Sequence, residues 1–450
     1  MRCNMKFIKS LILTLTFTLL CTGFSNTYAG LMNIVIDGGQ SGGIPIAVVP
    51  FSVEGGDKNE VLNLADIIHT DLRSSGQFSP VPFQNLRQSP HQLSQVQFPY
   101  WQSEQVADLV VGRIRKTAQG RFTVNFELLD VVRQKVGTPS LPLLSMQFDN
   151  IAAQDFRSLG HHISDLIFEK IIGVRGFFST RIAYISVSDN GRGGSRSLEI
   201  ADYDGHNPRV LYRSNYPIMS PTWSPDGKKI AFVSFEKERS SINVVDVNSG
   251  RVEVISRYAG INSAPAWSPD GRTLALVLSK DGGPKIYTMN LASKQLSRLT
   301  AGTGIDTEPC FAPDGRSIVF TSDRGGKPQI YRVNLSSGKT ERLTFVGNYN
   351  AKPSLTPDGK NLVTLHRGEE GLFSIAVHSL NQGGLRILTQ TGLNDSPTLA
   401  PNGMMVIYGA QAGGKKVLGA VSLDGRLKIR LPGREGEVQE PAWSPFAQAK

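Results

Sequence analysis

The sequence predicts an α/β N-terminal domain followed by an all-β six-bladed β-propeller, closed by pairing of the C-terminal strand with the N-terminal blade. Two observations predict the propeller: a proline-bounded motif that repeats at one interval, and incomplete units at both ends of the repeat array. Helical spacing of apolar residues before the array predicts the α/β domain. We expect a signal peptide at 1–29, a flexible arm at 30–43, the α/β domain at 44–175 and the propeller at 176–450.

The repeated motif has the form Pro-x-Trp-Ser-Pro, with variation at its third and fourth positions. Its second proline recurs every 44 residues, at Pro225, Pro269, Pro313, Pro357, Pro401 and Pro445. A period of about 40 to 45 residues is typical of a four-stranded propeller blade. Pro-Asp-Gly, which ends four copies, is typical of a hairpin turn and precedes runs of β-branched and aromatic residues. The large central residue of each copy is predicted to pack between blades rather than to bind a ligand: Trp223, Trp267, Phe311, Leu355, Leu399 and Trp443.

The two ends of the array predict how the ring closes. The last motif is followed by five residues only, whereas residues 181–212 supply the second, third and fourth strands of a unit that has no first strand. We therefore expect Ala442 and Trp443 to pair alongside residues 182–185. Such closure leaves only short, protected strand edges.

The first 29 residues have the pattern of a signal peptide. Three basic residues precede the apolar run 11–20, and small residues stand near Ala29. Removal of this segment leaves Cys310 as the single cysteine, which excludes a disulfide framework and fits a bacterial periplasm. No other apolar run is long enough to span a bilayer, so the mature protein is expected not to be membrane-embedded.

The arm contains five glycines in 14 residues around the apolar core Ile34, Val35 and Ile36. We expect this core to pair as a strand with a partner or with the chain's own body. Residues 39–43 match the nucleophile elbow of hydrolases, but that elbow lies on a strand-to-helix turn, so Ser41 is not expected to be a nucleophile.

The α/β domain is predicted from alternating strand and helix patterns. Asn59 is expected to cap a helix that ends at Gly76, and shorter patterns predict further elements. These are strands at 44–51, 109–114 and 122–128, an extended segment near 141–146, a short helix at 103–108 and a long helix at 152–172 that ends at Gly173.

No set of residues predicts catalysis, a cofactor or a metal site. The seven histidines are scattered, and His161 and His162 are adjacent, so they cannot share a helix face and are interpreted as ordinary helix residues. Asp-Tyr-Asp-Gly at 202–205 is interpreted as a hairpin turn rather than a calcium loop. The formal net charge is +10, but the basic residues are spread over turns and form no aromatic-rich basic patch, so no nucleic-acid partner is expected.

The mouth of the propeller is the predicted binding face, because the loop before each inner strand borders it. A ring of polar loops on a rigid scaffold is a common location for binding residues, although a merely solvated rim is the alternative. These loops are residues 215–220, 262–264, 306–308, 350–352, 394–396 and 437–440.

The ordered combination of arm, α/β domain, the turn at 202–205, the motif at 219–227 and the terminal motif at 441–445 resembles the TolB family of Tol-Pal system proteins. The resemblance covers essentially the whole mature chain. It implies a monomeric, non-enzymatic periplasmic adaptor between the inner-membrane Tol complex and the outer-membrane lipoprotein Pal. Such an adaptor supports outer-membrane integrity and constriction during cell division.

The resemblance also implies binding residues and a switch. Pal is expected at the mouth, on Asn262, Ala264, Thr307 and Glu308. TolA is expected on the arm, at Ile34, Val35, Ile36 and Asp37. A relative carries histidine where this chain has Ile261. Family members dock or release the arm according to whether Pal is bound.

Two other functions fit the sequence less well. A periplasmic carbohydrate- or peptidoglycan-binding propeller would expose aromatic side chains around the mouth, where only Tyr216, Tyr258 and Tyr349 lie. A prolyl-oligopeptidase-like hydrolase would need a full α/β-hydrolase domain, for which the region outside the propeller is too short.

Overall fold

The fold is given by a computed structural model, which describes the backbone of residues 35–36 and residues 42–56, 62–133, 141–188, 194–236, 239–390, 392–431 and 436–447. The predicted signal peptide at 1–29 and Ser41 lie outside the described residues. The α/β region and the propeller belong to one unit, Ile34–Lys450.

The N-terminal region is one mixed sheet of six strands with chain packed on both faces. Its elements, after the arm strand β1 (Val35–Ile36), are β2 (Ile44–Val48), β3 (Ser52–Glu54), α1 (Leu64–Ser74), β4 (Phe78–Pro80), α2 (Phe98–Ser103), β5 (Asp108–Lys116), β6 (Phe122–Asp130), β7 (Leu144–Ile151) and α3 (Phe156–Ile172). The strand order is β4-β2-β5-β6-β7, and β3 also pairs with β5. Because side chains alternate along a strand, Ile46 and Val48 of β2 join the core under α1 and α3, whereas Ala47 and Val49 join the core around Trp101.

Two helix predictions need correction. The first helix begins at Leu64 and is capped by Asn63, whose Oδ1 accepts a hydrogen bond from the Ala65 amide at 3.1 Å; the predicted cap, Asn59, lies outside the described residues. The short helix predicted at 103–108 was wrong, because it lies at Phe98–Ser103 with Pro99 in its first turn. Proline favours that position since its fixed φ suits a helix start and its missing N–H is not needed there.

The propeller consists of six four-stranded blades. Blade 1 contains β8 (Arg181–Ser188), β9 (Ser195–Asp202) and β10 (Arg209–Ser214) together with the last strand of the chain, β31 (Glu437–Trp443). Blade 2 contains β11 (Ile218–Trp223), β12 (Lys229–Ser234), β13 (Ser241–Asp246) and β14 (Val252–Ser256); blade 3 contains β15 (Asn262–Trp267), β16 (Thr273–Leu278), β17 (Lys285–Asn290) and β18 (Leu296–Arg298). Blade 4 contains β19 (Asp306–Phe311), β20 (Ser317–Ser322), β21 (Gln329–Asn334) and β22 (Thr340–Arg342); blade 5 contains β23 (Tyr349–Leu355), β24 (Asn361–Arg367), β25 (Phe373–Ser379) and β26 (Leu385–Ile387). Blade 6 contains β27 (Asp395–Leu399), β28 (Met405–Ala412), β29 (Lys415–Ser422) and β30 (Lys428–Arg430).

The ring closes as the sequence predicts. Strand β31 runs antiparallel to β8, with Ala442 opposite Ala183 and Trp443 opposite Ile182. The indole Nε1 of Trp443 donates to Thr180 Oγ1 at 2.8 Å. The two ends of the propeller sequence are therefore joined by a β ladder and by a buried side-chain hydrogen bond.

The repeated motif forms a turn and an inter-blade contact, as predicted. In the first copy the Gly227 amide donates to the Ser224 carbonyl at 2.9 Å, and Asp226 accepts from Ser224 Oγ at 2.6 Å, which makes the carboxylate a turn former. The indoles of Trp223 and Trp267 reach the preceding blade, where their Nε1 atoms donate to the carbonyls of Ala442 (3.1 Å) and Thr222 (3.2 Å). These side chains fix the spacing between blades.

Candidate functional site

Every inner strand of the propeller carries a bulge at the same position. The residue before the first motif proline has a positive φ in all six blades: Ser220 (52°), Ala264 (44°), Glu308 (52°), Lys352 (51°), Ser396 (48°) and Glu440 (50°). Each inner ladder shifts register there, for example between Thr307 and Cys310. This conformation costs a non-glycine residue roughly 1–2 kcal/mol, so the closed ring must hold it in place. We call these six residues the bulge ring.

The bulge ring lines the central channel just inside the mouth, which is the end where the inner strands begin. The channel encloses a cavity of about 380 Å³, bordered by the bulge ring, the first motif proline of each blade, Trp223 and Trp443. Three ring residues are charged, Glu308, Lys352 and Glu440. The prediction that the mouth is bordered by loops was therefore partly wrong. Residues 215–217 and Asn394 do lie in loops, but the other predicted loop residues belong to the first, bulged part of the inner strands.

The two ring glutamates join neighbouring blades. Glu308 Oε2 accepts from the backbone N–H of Lys352 at 2.9 Å and from Thr321 Oγ1 at 2.8 Å. Glu440 Oε2 accepts in the same way from the backbone N–H of Ser220 at 2.5 Å. Burial raises the pKa of Glu440, although Lys352 and the Ser220 N–H act in the opposite direction. Both carboxylates thus stabilise the bulge of the next blade.

Exposed apolar side chains surround the mouth. They lie in the loops on this face of the propeller: Tyr216, Tyr258, Ile261, Ile305, Phe345, Val346, Leu372 and Leu393. Phe345 and Leu393 are 71% and 62% exposed. Single exposed apolar residues are ordinary, but a set concentrated on one face marks a site of protein interaction or ligand binding. We call this set the apolar rim.

The arm pairs with the propeller over the two residues whose backbone is described. Val35 lies opposite Arg430 and Ile36 opposite Ile429, so β1 forms an antiparallel fifth strand on blade 6. The other two arm residues predicted to bind a partner, Ile34 and Asp37, lie outside the described residues. Of the two pairings expected for the arm, with a partner or with the chain's own body, this backbone pairing is the second.

Two family models match this architecture. That of the TolB amino-terminal domain matches residues 32–136, and that of the TolB beta propeller domain matches residues 168–447. The chain belongs to the TolB family.

Similar proteins of the TolB family span nearly the same length. The Tol-Pal system protein TolB of Coxiella burnetii is 56% identical over 423 residues, which are 93% of this chain and 94% of that protein. That of Thioalkalivibrio sulfidiphilus is 55% identical over 443 residues, 98% of each chain. The crystal structure of TolB from Acinetobacter baumannii is 39% identical, covers 92% of this chain and 100% of its own, and superimposes with a TM-score of 0.83. The chain is thus a Tol-Pal system component with a β-propeller.

The predicted Pal-binding residues of this TolB-family chain lie in different environments. Ala264 and Glu308 line the channel in neighbouring blades, and Thr307 is half-buried beside Glu308. Asn262 is fully buried, and its side chain makes its hydrogen bonds within the loop at 256–260. The structure therefore brings three of these residues to the mouth and gives the Asn262 side chain an internal position.

A buried cluster joins the two parts of the TolB fold. His161 Nδ1 lies 2.8 Å from Asp71 Oδ2, and His161 Nε2 lies 3.8 Å from Asp204 Oδ2 on the propeller turn at 202–205. Tyr203 of the same turn donates to Asp71 Oδ1 at 2.6 Å, and the Arg157 guanidinium pairs with Asp204. Burial opposes the charge on His161, but Asp71 and Asp204 outweigh it and raise its pKa to about 9.

The same cluster is the one place in the described part of the chain where three potential metal ligands meet, since atoms of Asp71, His161 and Asp204 lie within 4.8 Å of one another. The Arg157 guanidinium already occupies the side of Asp204 that a cation would need. The same guanidinium also lies 3.6 Å from Asp202, so the cluster fits an internal ion-pair network better than a metal site. Sequence reasoning placed His161 on a helix and missed this role, because its partners are 90 and 43 residues away.

Within the described residues, no helix is both long and apolar enough to cross a membrane.

Proposed function

We propose that this TolB-family chain is a non-enzymatic periplasmic adaptor. It binds the outer-membrane lipoprotein Pal at the propeller mouth and TolA of the inner-membrane Tol complex through its arm, and it thereby supports outer-membrane integrity and constriction during division. The observation that carries this proposal is the apolar rim around a channel mouth with fixed charges. Partner proteins bury such surfaces, with apolar residues at the centre and polar groups around them.

The composition of the rim favours a protein partner over a saccharide. Carbohydrates stack on exposed aromatic rings, of which the rim has three, Tyr216, Tyr258 and Phe345. The other five side chains of the rim are aliphatic: Ile261, Ile305, Val346, Leu372 and Leu393. A carbohydrate- or peptidoglycan-binding propeller therefore ranks second. We expect Pal to contact Ala264, Thr307 and Glu308 directly, and Asn262 to act through the shape of its loop.

Pairing of β1 with β30 supports a role for the arm as a binding strand. Two-residue pairing provides few backbone hydrogen bonds, so a partner strand can compete for the arm. We propose that residues 34–37 form the TolA segment and that docking on blade 6 withholds it. No nucleic acid, cofactor or second copy of the chain is part of this proposal.

Calorimetry with purified Pal tests the mouth. Wild type should bind, and Glu308→Lys should weaken binding about tenfold or more, because it reverses a charge at the mouth and removes the acceptor of the Lys352 N–H. Glu308→Gln is the matched control, since it keeps an acceptor oxygen while removing the charge. Failure of wild type to bind Pal would refute the mouth as the Pal site.

A pull-down with the periplasmic domain of TolA tests the arm. Deletion of residues 30–41 should abolish TolA capture and leave thermal stability nearly unchanged, because the described contact of this segment is the short pairing on blade 6. If the truncated protein still captures TolA, the arm is not the TolA site.

A further inference from the structure

Four consecutive blades share a buried polar residue within one position of the start of the inner strand. These residues are 44 positions apart and at most 4% exposed: Asn262, Asp306, Asn350 and Asn394. Each directly follows a residue of the mouth face, namely Ile261, Ile305, Tyr349 and Leu393. Blades 1 and 2 instead have buried Val438 and Ile218 at this position.

Asn262 holds the loop of blade 3. Its Oδ1 accepts from Ser256 Oγ at 2.7 Å and from the Tyr258 amide at 2.9 Å. Its Nδ2 donates to the carbonyls of Tyr258 at 2.7 Å and Gly260 at 3.2 Å. Both ends of one side-chain amide are thus committed to the loop that carries Tyr258 and Ile261.

Asn350 holds the loop of blade 5 in a similar way. Its Nδ2 donates to the Val346 carbonyl at 2.8 Å and to Gln329 Oε1 at 2.9 Å. Its Oδ1 lies 2.9 Å from Nδ1 of the buried His366. The loop that exposes Phe345 and Val346 is therefore tied to the interior of the blade.

The remaining two blades use variations of this arrangement. Asn394 Nδ2 donates to Thr389 Oγ1 at 2.9 Å and to the Phe373 carbonyl at 3.0 Å. Asp306 accepts from Ser322 Oγ at 2.7 Å and pairs with buried Lys285 at 3.4 Å, and Lys285 in turn donates to the Gly304 carbonyl. In each of the four blades, the buried polar residue bonds directly or through Lys285 to a group in the loop that carries the exposed apolar side chains.

We propose that Asn262, Asp306, Asn350 and Asn394 are positioning residues of the docking face, which hold four adjacent loops so that their apolar side chains project toward a folded protein partner. This inference rests on the proposed function and deepens it, because it places the centre of the partner's footprint over blades 3 to 6. An exposed apolar side chain on a loose loop would turn inward, and ordering it on binding would lower affinity. A buried polar side chain that bonds the loop and ties it to the interior of the blade prevents this, since leaving its partners unsatisfied is unfavourable.

The test uses Asn262→Ala and Asn394→Ala in the full mature chain, with Pal as the probe. Both should weaken Pal binding about tenfold, with a more unfavourable binding entropy. Amide hydrogen exchange should accelerate at 257–261 in the first variant and at Gly392 and Leu393 in the second. Asn243→Ala is the matched control, because Asn243 is a buried amide of β13 that bonds Ser241 and holds no rim loop.

The outcomes separate the two proposals. If wild type binds Pal and both variants bind no more weakly than Asn243→Ala, the positioning role is refuted and the mouth site stands. The same conclusion follows if affinity falls without faster exchange in the loops. If wild type does not bind Pal, the proposed function and this inference fall together. Two variants in separate blades keep the test decisive should one of them fail to fold.

Discussion

Raising the pH removes the proton from His161 and should weaken the contact between the α/β region and the propeller, which lowers the free energy of unfolding. The groups that face this imidazole are Asp71 from α1, Tyr203 and Asp204 from the propeller turn, and Arg157 one helical turn away. The two carboxylates stabilise the imidazolium. The Tyr203 hydroxyl donates to the other oxygen of Asp71, the His206 backbone N–H donates to the other oxygen of Asp204, and the Arg157 guanidinium pairs with Asp204 Oδ2. Loss of the proton would leave Asp71 and Asp204 without the cation between them.

The magnitude follows from the pKa in the two states. The pKa of His161 is raised from 6.5 to about 9 in the folded protein. At about 1.4 kcal/mol per pKa unit, this corresponds to roughly 3 kcal/mol of stability. Because the folded pKa lies above the unfolded one, the contribution is fully present below pH 6.5 and is lost as pH rises through 9.

Urea unfolding of wild type and His161→Gln between pH 6 and 10 measures this contribution. The stability difference between them should shrink by roughly 3 kcal/mol from pH 6.5 to above pH 9, because the glutamine has no proton to lose. Histidine ring NMR gives the pKa directly. A pKa of 7 or lower for His161, or parallel stability curves for the two proteins, would refute the reasoning.

Three substitutions test packing and closure by urea unfolding. Trp443→Ala should destabilise the ring by about 3–5 kcal/mol, since it empties a buried indole site at the closing strand; a loss below about 1 kcal/mol would contradict closure by β31. Gly112→Ala should cost about 1–3 kcal/mol, because the added methyl would lie 2.4 Å from the Phe51 ring, and Phe51→Leu should partly restore stability in the double variant. Glu440→Ala should cost about 1–3 kcal/mol by leaving the Ser220 N–H without its acceptor, whereas Glu440→Gln should cost less; equal losses would argue against this hydrogen bond.

The repeat and its closure could be read from the chain alone. The 44-residue spacing is a property of consecutive positions, and each blade uses the same local turn and strand chemistry. The unit at Arg181 has no first strand, and the strand at Trp443 has no unit of its own. Six complete blades therefore form only if the strand at Trp443 pairs with the unit at Arg181. The C-terminal end of α3 could also be predicted from local sequence, because Gly173 adopts the left-handed conformation that ends a helix.

The detailed character of the mouth was decided by the tertiary structure. Asn262 and Glu308 are both polar residues of the predicted binding face, yet one is fully buried and the other lines the channel. The direction of each side chain depends on the bulge beside it, and the bulges at Ser220 and Lys352 are bonded to a glutamate of the preceding blade. The same holds for Asp71, His161 and Asp204, which are remote in sequence and meet only when α1, α3 and the first blade pack together. Local sequence sets the period and the turns, whereas burial and charge pairing arise from contacts that form when distant segments come together.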